Sequence, residues 1–315
     1  SIYSARALFN YNIRQLLYAN NKWHAKRRKP VSESTRNHRF IECCSMGHDL
    51  HNLGYRVMLP TSIRAKHVVA LCRYWEASDL VPASVVQKVS ILRTFLGWAG
   101  RSDVIDFLKP SQLYKNPENF KRSLVATEDK SWDKKTDVLA LFEQVEKDDV
   151  HVARQLRLCH YFALRSKESM LFRPAMDYDK ENSVIRVRRG TKGGRYRMVT
   201  VGTQDQRDLL EELITHGHDK TASIIPRMAK PAAWLKHYYK VCNRNGISRK
   251  NGLVPHGLRH GYSHRLFEEE TGVEASARSG GKVDIDAVND RLARLLVSED
   301  LGHNRPSISS AYLGK

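Results

Sequence analysis

The sequence lacks long hydrophobic runs. No apolar stretch approaches the roughly 18 residues that a membrane-spanning helix requires. The opening SIYSARALFNYNIRQ interrupts its apolar residues with arginines, whereas a signal peptide keeps such a stretch free of charge. These two absences predict a soluble protein of the cell interior that has no contact with a membrane.

Cysteines are few among the 315 residues. Their number is odd and no C-x-x-C occurs, which argues against a disulfide framework and against a thiolate zinc site. We expect reduced thiols at all five positions, Cys43, Cys44, Cys72, Cys159 and Cys242.

The motifs of nucleotide-dependent enzymes are missing as well. Neither G-x-x-x-x-G-K-[ST] nor G-x-G-x-x-G occurs, so neither ATP nor a dinucleotide is predicted. A metal-dependent nuclease needs converging carboxylates. The candidate pairs, Asp177 with Asp179 and Asp284 with Asp286, lie in predicted turns, where acidic residues are ordinary surface residues. We therefore expect no cofactor and no bound metal.

Positive charge, by contrast, is abundant. Lys and Arg number 53 against 34 Asp and Glu, which gives a net charge of +19 and indicates a polyanionic partner such as nucleic acid. The residues up to Lys130 include 21 basic and 10 acidic ones, so both parts of the chain are basic, as in a clamp that closes on a duplex. The densest run is a candidate for phosphate contacts or an ordinary solvated segment, and it consists of Lys26, Arg27, Arg28 and Lys29.

Length and composition predict two folded domains. With 41% hydrophobic and 28% charged residues, wholesale disorder is excluded, and 315 residues exceed the usual size of one domain. Apolar residues recur at helical spacing over 63–77 and from residue 85 onward, so residues 1–115 are predicted to form a helical domain that contacts DNA. Residues 116–131 have no hydrophobic period and are predicted as a linker, which leaves 132–315 as the second domain.

The second domain combines helices with a small sheet. Strand-like patterns at 183–189 and 196–201 are joined by GTKGGR, whose glycines suit the turn of a hairpin. The other periodic segments are predicted as helices, at 138–147, 150–162, 204–215, 231–245 and 256–271. The expected fold class is α+β and mostly helical, with a small antiparallel sheet.

A series of basic and polar motifs in this domain ends in a tyrosine. In chain order the motifs are ALRSKE around Arg165, TKGGR around Lys192, HGLRH from His256, LGH up to His303, and AYL around Tyr312. Tyr312 follows His303 by nine residues. The ordered series resembles the tyrosine recombinases of the phage-integrase superfamily. The resemblance covers the chain from about Trp132 onward, and the helical first part resembles that family's core-binding domain more loosely.

These residue types suit the transfer of a phosphoryl group to a side chain. A tyrosine oxygen in line with a DNA phosphate can form a covalent intermediate. Deprotonating a phenol of pKa about 10 costs roughly 4 kcal/mol at pH 7, so cations or a base must assist Tyr312. Guanidinium groups bind phosphate oxygens bidentately, which is the role expected of Arg165 and Arg259. His256 and Arg259 stand at i and i+3 of a predicted helix and can reach one phosphate.

The resemblance implies further catalytic roles. His256 corresponds to a general acid or base, and His303 to a hydrogen-bond donor to the phosphate. Lys192, on the hairpin turn, corresponds to the amine that protonates the leaving 5′ oxygen. The hairpin, with Arg195, is expected to touch the minor groove.

Supporting residues and partners follow from the same resemblance. Glu168 is expected to orient Arg165, and His260 to support the cluster. The implied activity is site-specific recombination through a 3′-phosphotyrosyl intermediate, in the bacterial cytoplasm or nucleoid. The implied partners are a double-stranded DNA recombination site and further copies of the chain, in a tetramer on two duplexes, with an accessory DNA-bending or directionality factor left open. The ending LGHNRPSISSAYLG favours the integrase of a mobile element.

Three features depart from the family pattern. Ala163 stands where a glycine is usual. Residues 268–287 are a surplus segment, acidic and then glycine-rich, which predicts an inserted surface loop that contacts a partner subunit or is disordered, and its composition favours disorder. Three residues follow Tyr312, where many relatives continue with a helix that docks on a neighbouring subunit.

Two alternatives use nearly the same residues. A type IB topoisomerase nicks and reseals one duplex with similar cations and a tyrosine. A DNA-binding relative without catalytic activity would keep only the scaffold. Cleavage that depends on Tyr312, and joining of two DNA sites, would separate the recombinase from both.

Overall fold

The computed structural model describes residues 4–27, 29–121, 123–303 and 305–315. The chain divides into two compact units, Ser1–Arg122 and Ser123–Lys315. The division falls within the segment predicted as a linker. On its first side, Phe120 stacks on Tyr114 of the first unit with 4.1 Å between ring centroids. On its second side, the Ala126 amide donates to the Ser310 carbonyl of the second unit at 2.8 Å.

The first unit is helical throughout its regular structure. Its helices are α1 (Ala5–Asn20), α2 (Glu33–Asn52), α3 (Ala65–Glu76), α4 (Pro82–Trp98), α5 (Asp103–Asp106) and α6 (Pro110–Leu113). The helix expected from residue 85 begins earlier, because Pro82 fits the first turn, where no backbone N–H is required. The four long helices bury a common core that includes Phe9, Leu50, Trp75 and Phe95. The aromatic residues of these helices thus serve packing.

The second unit is mixed, as predicted. Its helices are α7 (Val138–Asp148), α8 (Val150–Phe162), α9 (Ser166–Leu171), α10 (Pro174–Asp177), α11 (Gln204–Thr215), α12 (Pro231–Arg244), α13 (His256–Thr271), α14 (Ser276–Ser279), α15 (Ala287–Asp300) and α16 (Ser310–Leu313). Its strands are β1 (Tyr178–Asp179), β2 (Val184–Val187) and β3 (Arg197–Thr200). They form an antiparallel sheet in the order β1-β2-β3, with Ile185 opposite Val199. The predicted fold class, mostly helical α+β with a small antiparallel sheet, is confirmed.

Two apolar clusters stabilise the second unit. The larger one surrounds Trp132, Phe142, Phe162 and Tyr238 and joins the sheet to α7, α8 and α12. The smaller one contains Phe267 of α13, Val297 and Leu301 of α15, and Tyr312 and Leu313 of α16. The C-terminal turn of helix is therefore anchored to the two helices that flank the inserted segment.

Disorder of the inserted segment is a prediction that the structure overturns. Helix α13 ends where Gly272 takes the left-handed conformation, with φ +74°. The chain then forms α14, which contains the buried Ala277 and is preceded by Ala275, a member of the smaller cluster. Composition gave the wrong prediction for this turn, because two small apolar side chains and one arginine with ion-pair partners, Arg278, are enough to fix a single turn of helix.

Three of the four candidate metal-binding carboxylates make local hydrogen bonds or ion pairs. Asp177 binds the guanidinium of Arg189, Asp179 pairs with Arg186, and Asp286 caps the first turn of α15. The described residues contain no group of three or more His, Cys, Asp or Glu arranged to hold a metal ion. All five cysteines are free thiols. Within the described ranges, no helix has both the length and the hydrophobicity needed to cross a bilayer.

Candidate active site

Tyr312 lies almost buried at the end of the chain. It belongs to α16, a single turn that follows the 3-10 turn Pro306–Ser309, and its residue surface is 6% exposed. Its neighbour Leu313 is fully buried and anchors the turn. The Tyr312 hydroxyl accepts a hydrogen bond from Nε of Arg259 at 3.2 Å. The structure thus brings together the two residues that the sequence places 53 positions apart.

Arg259 is held rigidly within the protein. It is 1% exposed and donates from its two terminal nitrogens to the carbonyl oxygens of Ala163 and Leu301. A guanidinium has five N–H groups, so three donated bonds leave two for a further acceptor such as a phosphate oxygen. Burial lowers the pKa of Arg259 to about 10, against the opposing influence of Tyr312, so the side chain remains charged at neutral pH.

The Ala163 carbonyl reaches Arg259 because the backbone reverses there. Ala163 ends α8 in the left-handed conformation, with φ 52°. A glycine adopts this conformation without the steric penalty that a Cβ brings. This backbone requirement accounts for the glycine that the family has at the position.

Arg165 begins α9 beside a buried carboxylate. Its Nη1 donates to Glu168 at 2.7 Å, its backbone N–H donates to the same carboxylate at 2.8 Å, and its side chain remains 25% exposed. Arg197 of β3 binds Glu168 bidentately, at 2.8 Å for both bonds. Burial alone would raise the pKa of Glu168, but the hydrogen bonds and charges of Arg197 and Arg165 outweigh this and lower it to about 2. Glu168 therefore holds Arg165 through hydrogen bonds to its side chain and to its backbone N–H.

Arg197 is a site residue that the sequence reading missed. Its side chain is 5% exposed, and its Nε donates to the Asp300 carbonyl at 2.8 Å, which ties β3 to the end of α15. Gly302 leaves room for it, since a Cβ there would lie 2.8 Å from Cδ of Arg197. Gly302 also has φ +70°, so this turn requires glycine for two reasons, the space for Arg197 and the left-handed backbone. The available signal is the alternation in β3, where Arg197 and Val199 point inward.

Three histidines surround the Tyr312 ring. The ring centroid of Tyr312 lies 6.0 Å from that of His256, 4.6 Å from that of His260 and 6.0 Å from that of His303. Desolvation, followed by the charge of Arg259 and then Arg165, lowers the pKa of His256 to about 4 and contributes to the same value at His303. Desolvation also lowers the pKa of His260 to about 3. All three imidazoles are therefore neutral at pH 7.

The hairpin turn stands apart from this cluster. Lys192 and Arg195 are both exposed on the turn between β2 and β3, where Gly193 and Gly194 have φ of +74° and +71°. Within the described part of the chain, Lys192 makes no hydrogen bond and no ion pair. From this turn, the charge of Arg195 is the smallest of the named causes that lower the pKa of His303.

The basic run of the first unit is an exposed loop. Trp23 and Pro30 form a β-bridge that closes it, between α1 and α2. Lys26, Arg27 and Lys29 are exposed on this loop, and Arg28 lies outside the described residues. Their contact with DNA remains a prediction.

Family models match both units. The model described as phage integrase, N-terminal, matches residues 17–105, and the model described as integrase matches residues 122–265. Together they cover more than half of the chain. A comparison with curated protein sequences finds no match.

Solved structures of DNA complexes share the fold. The Tn1549 transposon integrase in complex with circular intermediate DNA has a TM-score of 0.58 and 14% identity, and the match covers 99% of this chain and 95% of that chain. The XerH recombinase bound to palindromic difH substrate has a TM-score of 0.61 and 16% identity, over 99% and 93%. A lambda integrase dimer bound to a COC′ core site has a TM-score of 0.55 and 15% identity, over 95% and 76%.

Two kinds of evidence support the family assignment. The motifs of His256 and Arg259, of His303 and of Tyr312 meet in space, and the family models match the helical first unit as well as the mixed second one. The chain belongs to the phage-integrase superfamily of tyrosine recombinases.

Proposed function

We propose that the protein is a site-specific DNA recombinase, the integrase of a mobile element, that cleaves and rejoins DNA through Tyr312. The observation that carries this proposal is the hydrogen bond of 3.2 Å between the Tyr312 hydroxyl and the buried Arg259 guanidinium. A phenol held against a fixed cation, with two guanidinium N–H groups to spare, is suited to attack a phosphate that the same cation binds.

The proposed cleavage step breaks one bond and forms another. The Tyr312 oxygen attacks phosphorus, the bond to the 5′ oxygen breaks, and a 3′-phosphotyrosyl link remains. Arg165 and Arg259 bind the nonbridging oxygens, whose charge grows in the transition state. In this proposal the imidazole of His256 or His303 accepts the phenolic proton, since the anionic phosphate opposes the arginine charges that lower its pKa.

The leaving 5′ oxygen also needs a proton. Lys192 is the proposed donor, because it lies on an exposed, glycine-rich turn that can approach the scissile bond once DNA is bound. The free 5′ hydroxyl of a partner strand then attacks the phosphotyrosyl link and restores Tyr312. The link conserves the energy of the phosphodiester bond, so the cycle consumes no ATP, and the arginines supply the positive charge at the phosphate.

The proposed substrate is double-stranded DNA bound by both units. The net charge of +19 supports binding to the phosphate backbone. The fold is that of proteins solved on DNA, among them a lambda integrase tetramer bound to a Holliday junction. We infer that four copies of the chain act on two duplexes, with the hairpin turn and the loop of Lys26, Arg27 and Lys29 contacting DNA.

The test is formation of a covalent protein–DNA adduct. The protein is incubated with a nicked candidate site and resolved by denaturing electrophoresis. We expect an adduct with the wild type, none with Tyr312→Phe, and slower formation with Lys192→Ala. An undiminished adduct with Tyr312→Phe would refute the proposal, and cleavage without an adduct that EDTA abolishes would indicate a metal nuclease. Relaxation of supercoils without joining of two sites would favour the topoisomerase alternative.

A further inference from the structure

The residues next to Tyr312 are held by segments distant in the sequence. Oγ of Ser276, in α14, lies 2.6 Å from the Lys315 carbonyl oxygen and 3.2 Å from that of Leu313, within hydrogen-bonding distance of both. Arg294 of α15 donates to the Gly314 carbonyl at 3.1 Å. Together with the bond from Ala126 to Ser310 at the other end of α16, these contacts fix the backbone on both sides of Tyr312.

The contact between α14 and the C-terminal residues is close-packed. Gly314 has φ +84°, and a Cβ there would lie 2.3 Å from Oγ of Ser276 and 2.8 Å from the backbone nitrogen of Ala277. Gly314 is therefore the residue that lets the chain after Tyr312 lie directly on α14. On the apolar side of the same contact, Ala275 belongs to the smaller cluster together with Tyr312 and Leu313, and Ala277 is buried.

Arg278 anchors α14 to the helix that carries Arg259. Its side chain is 5% exposed and donates to Asp129 and Asp133, at 2.9 Å each. Asp133 also accepts a hydrogen bond from Arg265 of α13 at 3.0 Å. Arg278 and Arg265 thus share one carboxylate, so α14 and α13 are held by the same ion-pair network.

We propose that α14, which belongs to the inserted segment, is an intramolecular brace that positions Tyr312 beside the arginines of its own subunit. This inference rests on the proposed function, in which Tyr312 is the nucleophile. Ser276 and Arg278 are positioning residues in it, since they act on the tyrosine through the backbone and through α14. The inserted segment thereby serves the reaction within one chain.

The need for a brace follows from the shortness of α16. A helix of four residues is not stable by itself, because isolated helices shorter than about 12 residues are only marginally stable in water. Misplacing a reacting group by about 1 Å can lower a rate by about 100-fold. The position of the Tyr312 hydroxyl therefore depends on what α16 is fastened to.

The experiment measures the single-turnover rate of adduct formation on a nicked site, together with DNA affinity and thermal unfolding. We expect Ser276→Ala to form the adduct about threefold to tenfold more slowly, as for the loss of one hydrogen bond, with DNA affinity and melting temperature unchanged. Ser276→Thr, which keeps the hydroxyl, should restore most of the rate. Ser279→Ala is the matched control, because Ser279 is exposed in the same helix, and it should react at the wild-type rate.

A second variant tests the contact from the other side. Gly314→Ala places a methyl group against Ser276 and Ala277, so it should slow adduct formation more than Ser276→Ala does, again with unchanged DNA affinity. If both variants react at the wild-type rate while Tyr312→Phe is inactive, the brace is refuted and the proposed function stands. If the rate falls only in step with melting temperature or DNA affinity, the contact is structural and the brace is equally refuted. An adduct with Tyr312→Phe would remove the proposed function itself.

Mixed subunits test whether the tyrosine acts within its own chain. Tyr312→Phe supplies intact arginines, and Arg259→Lys supplies an intact tyrosine. A brace within each subunit predicts that the mixture forms no more adduct than the separate variants do. Restored adduct formation would mean that the tyrosine is delivered to a neighbouring subunit and would overturn the proposal.

Discussion

Arg259 joins four parts of the chain through one side chain. It starts from α13 and donates to the end of α8 at Ala163, to the end of α15 at Leu301, and to Tyr312. If Arg259 binds the phosphate as proposed, its burial means that the guanidinium is in position before DNA arrives and loses little side-chain freedom on binding. Such prior placement of donors accounts for much of the rate enhancement in charge-stabilising active sites.

Arg259→Lys tests this placement. A lysine ammonium donates from a single point and cannot serve two carbonyls, a phenol and a phosphate in the geometry of the guanidinium fork. We expect the single-turnover rate of adduct formation to fall by about 100-fold or more. Arg227→Lys, at an exposed arginine, is the matched control and should retain the rate. A rate for Arg259→Lys within threefold of the wild type would contradict the assignment.

Residues with a motif around them were predictable, and residues without one were not. Tyr312, Arg259 and His303 stand in short motifs at characteristic separations, and the structure brings them together. Arg197 is one of five arginines in the stretch from 186 to 197, and only the register of β3 decides that it points inward to Glu168. The spacing of residues in the sequence does not fix that register, and a shift of one residue would turn the Arg197 side chain to solvent.

Helix α13 carries a column of buried histidines as well as Arg259. His256, His260 and His264 stand at successive i+4 positions, and the rings of the first two lie 5.3 Å apart. His264 is 1% exposed, and neither ring nitrogen has a hydrogen-bond partner among the described residues. Desolvation and then the charge of Arg278 lower the pKa of His264 to about 4, although nearby carboxylates oppose this. The helix is therefore assembled with neutral imidazoles.

This column predicts acid sensitivity. The ordinary pKa of histidine is 6.5 and that of folded His264 is about 4, so below pH 6.5 the unfolded chain takes up a proton that the folded chain refuses. Stability is therefore lost as the pH falls from about 6.5 towards 4. Between pH 7 and pH 5 this histidine should account for about 1–2 kcal/mol of the fall in the free energy of unfolding.

His264→Leu removes that contribution. Leucine is close to histidine in size and does not titrate, so the variant should lose about 1–2 kcal/mol less stability than the wild type between pH 7 and pH 5. Urea denaturation of both proteins at the two pH values measures the difference. An identical pH dependence would show that His264 does not remain neutral in the folded protein.

At the level of elements, periodic segments were well predicted and short ones were not. Helices α11 and α13 have the predicted bounds, because α11 has a clear hydrophobic period and α13 ends at a glycine, Gly272. Strand β1 has two residues and α14 has four, too few for a period to show. Helix α14 is fixed by the ion pairs of Arg278 and by its contact with Gly314, and both depend on residues far away in the chain.

The whole molecule is two basic units that share one family assignment. Composition alone indicated the polyanionic partner, because +11 of the charge of +19 lies before residue 131 and the rest beyond it. The division near residue 122 lies inside a stretch whose apolar residues have no regular spacing. A segment that connects two hydrophobic cores does not need such a spacing. The DNA sequence that the protein recognises cannot be inferred from composition, because contacts to the phosphate backbone do not distinguish one base from another.

The central claim is that Tyr312 becomes covalently bound to DNA, and mass spectrometry of the adduct tests it most directly. The wild-type protein is trapped on a nicked site, digested with protease and nuclease, and the nucleotide-bearing peptide is sequenced. We predict a single modified peptide, with the nucleotide joined through its 3′ phosphate to Tyr312. Attachment to another residue, such as Tyr239 or Tyr262, or a link through a 5′ phosphate, would contradict this account of the site.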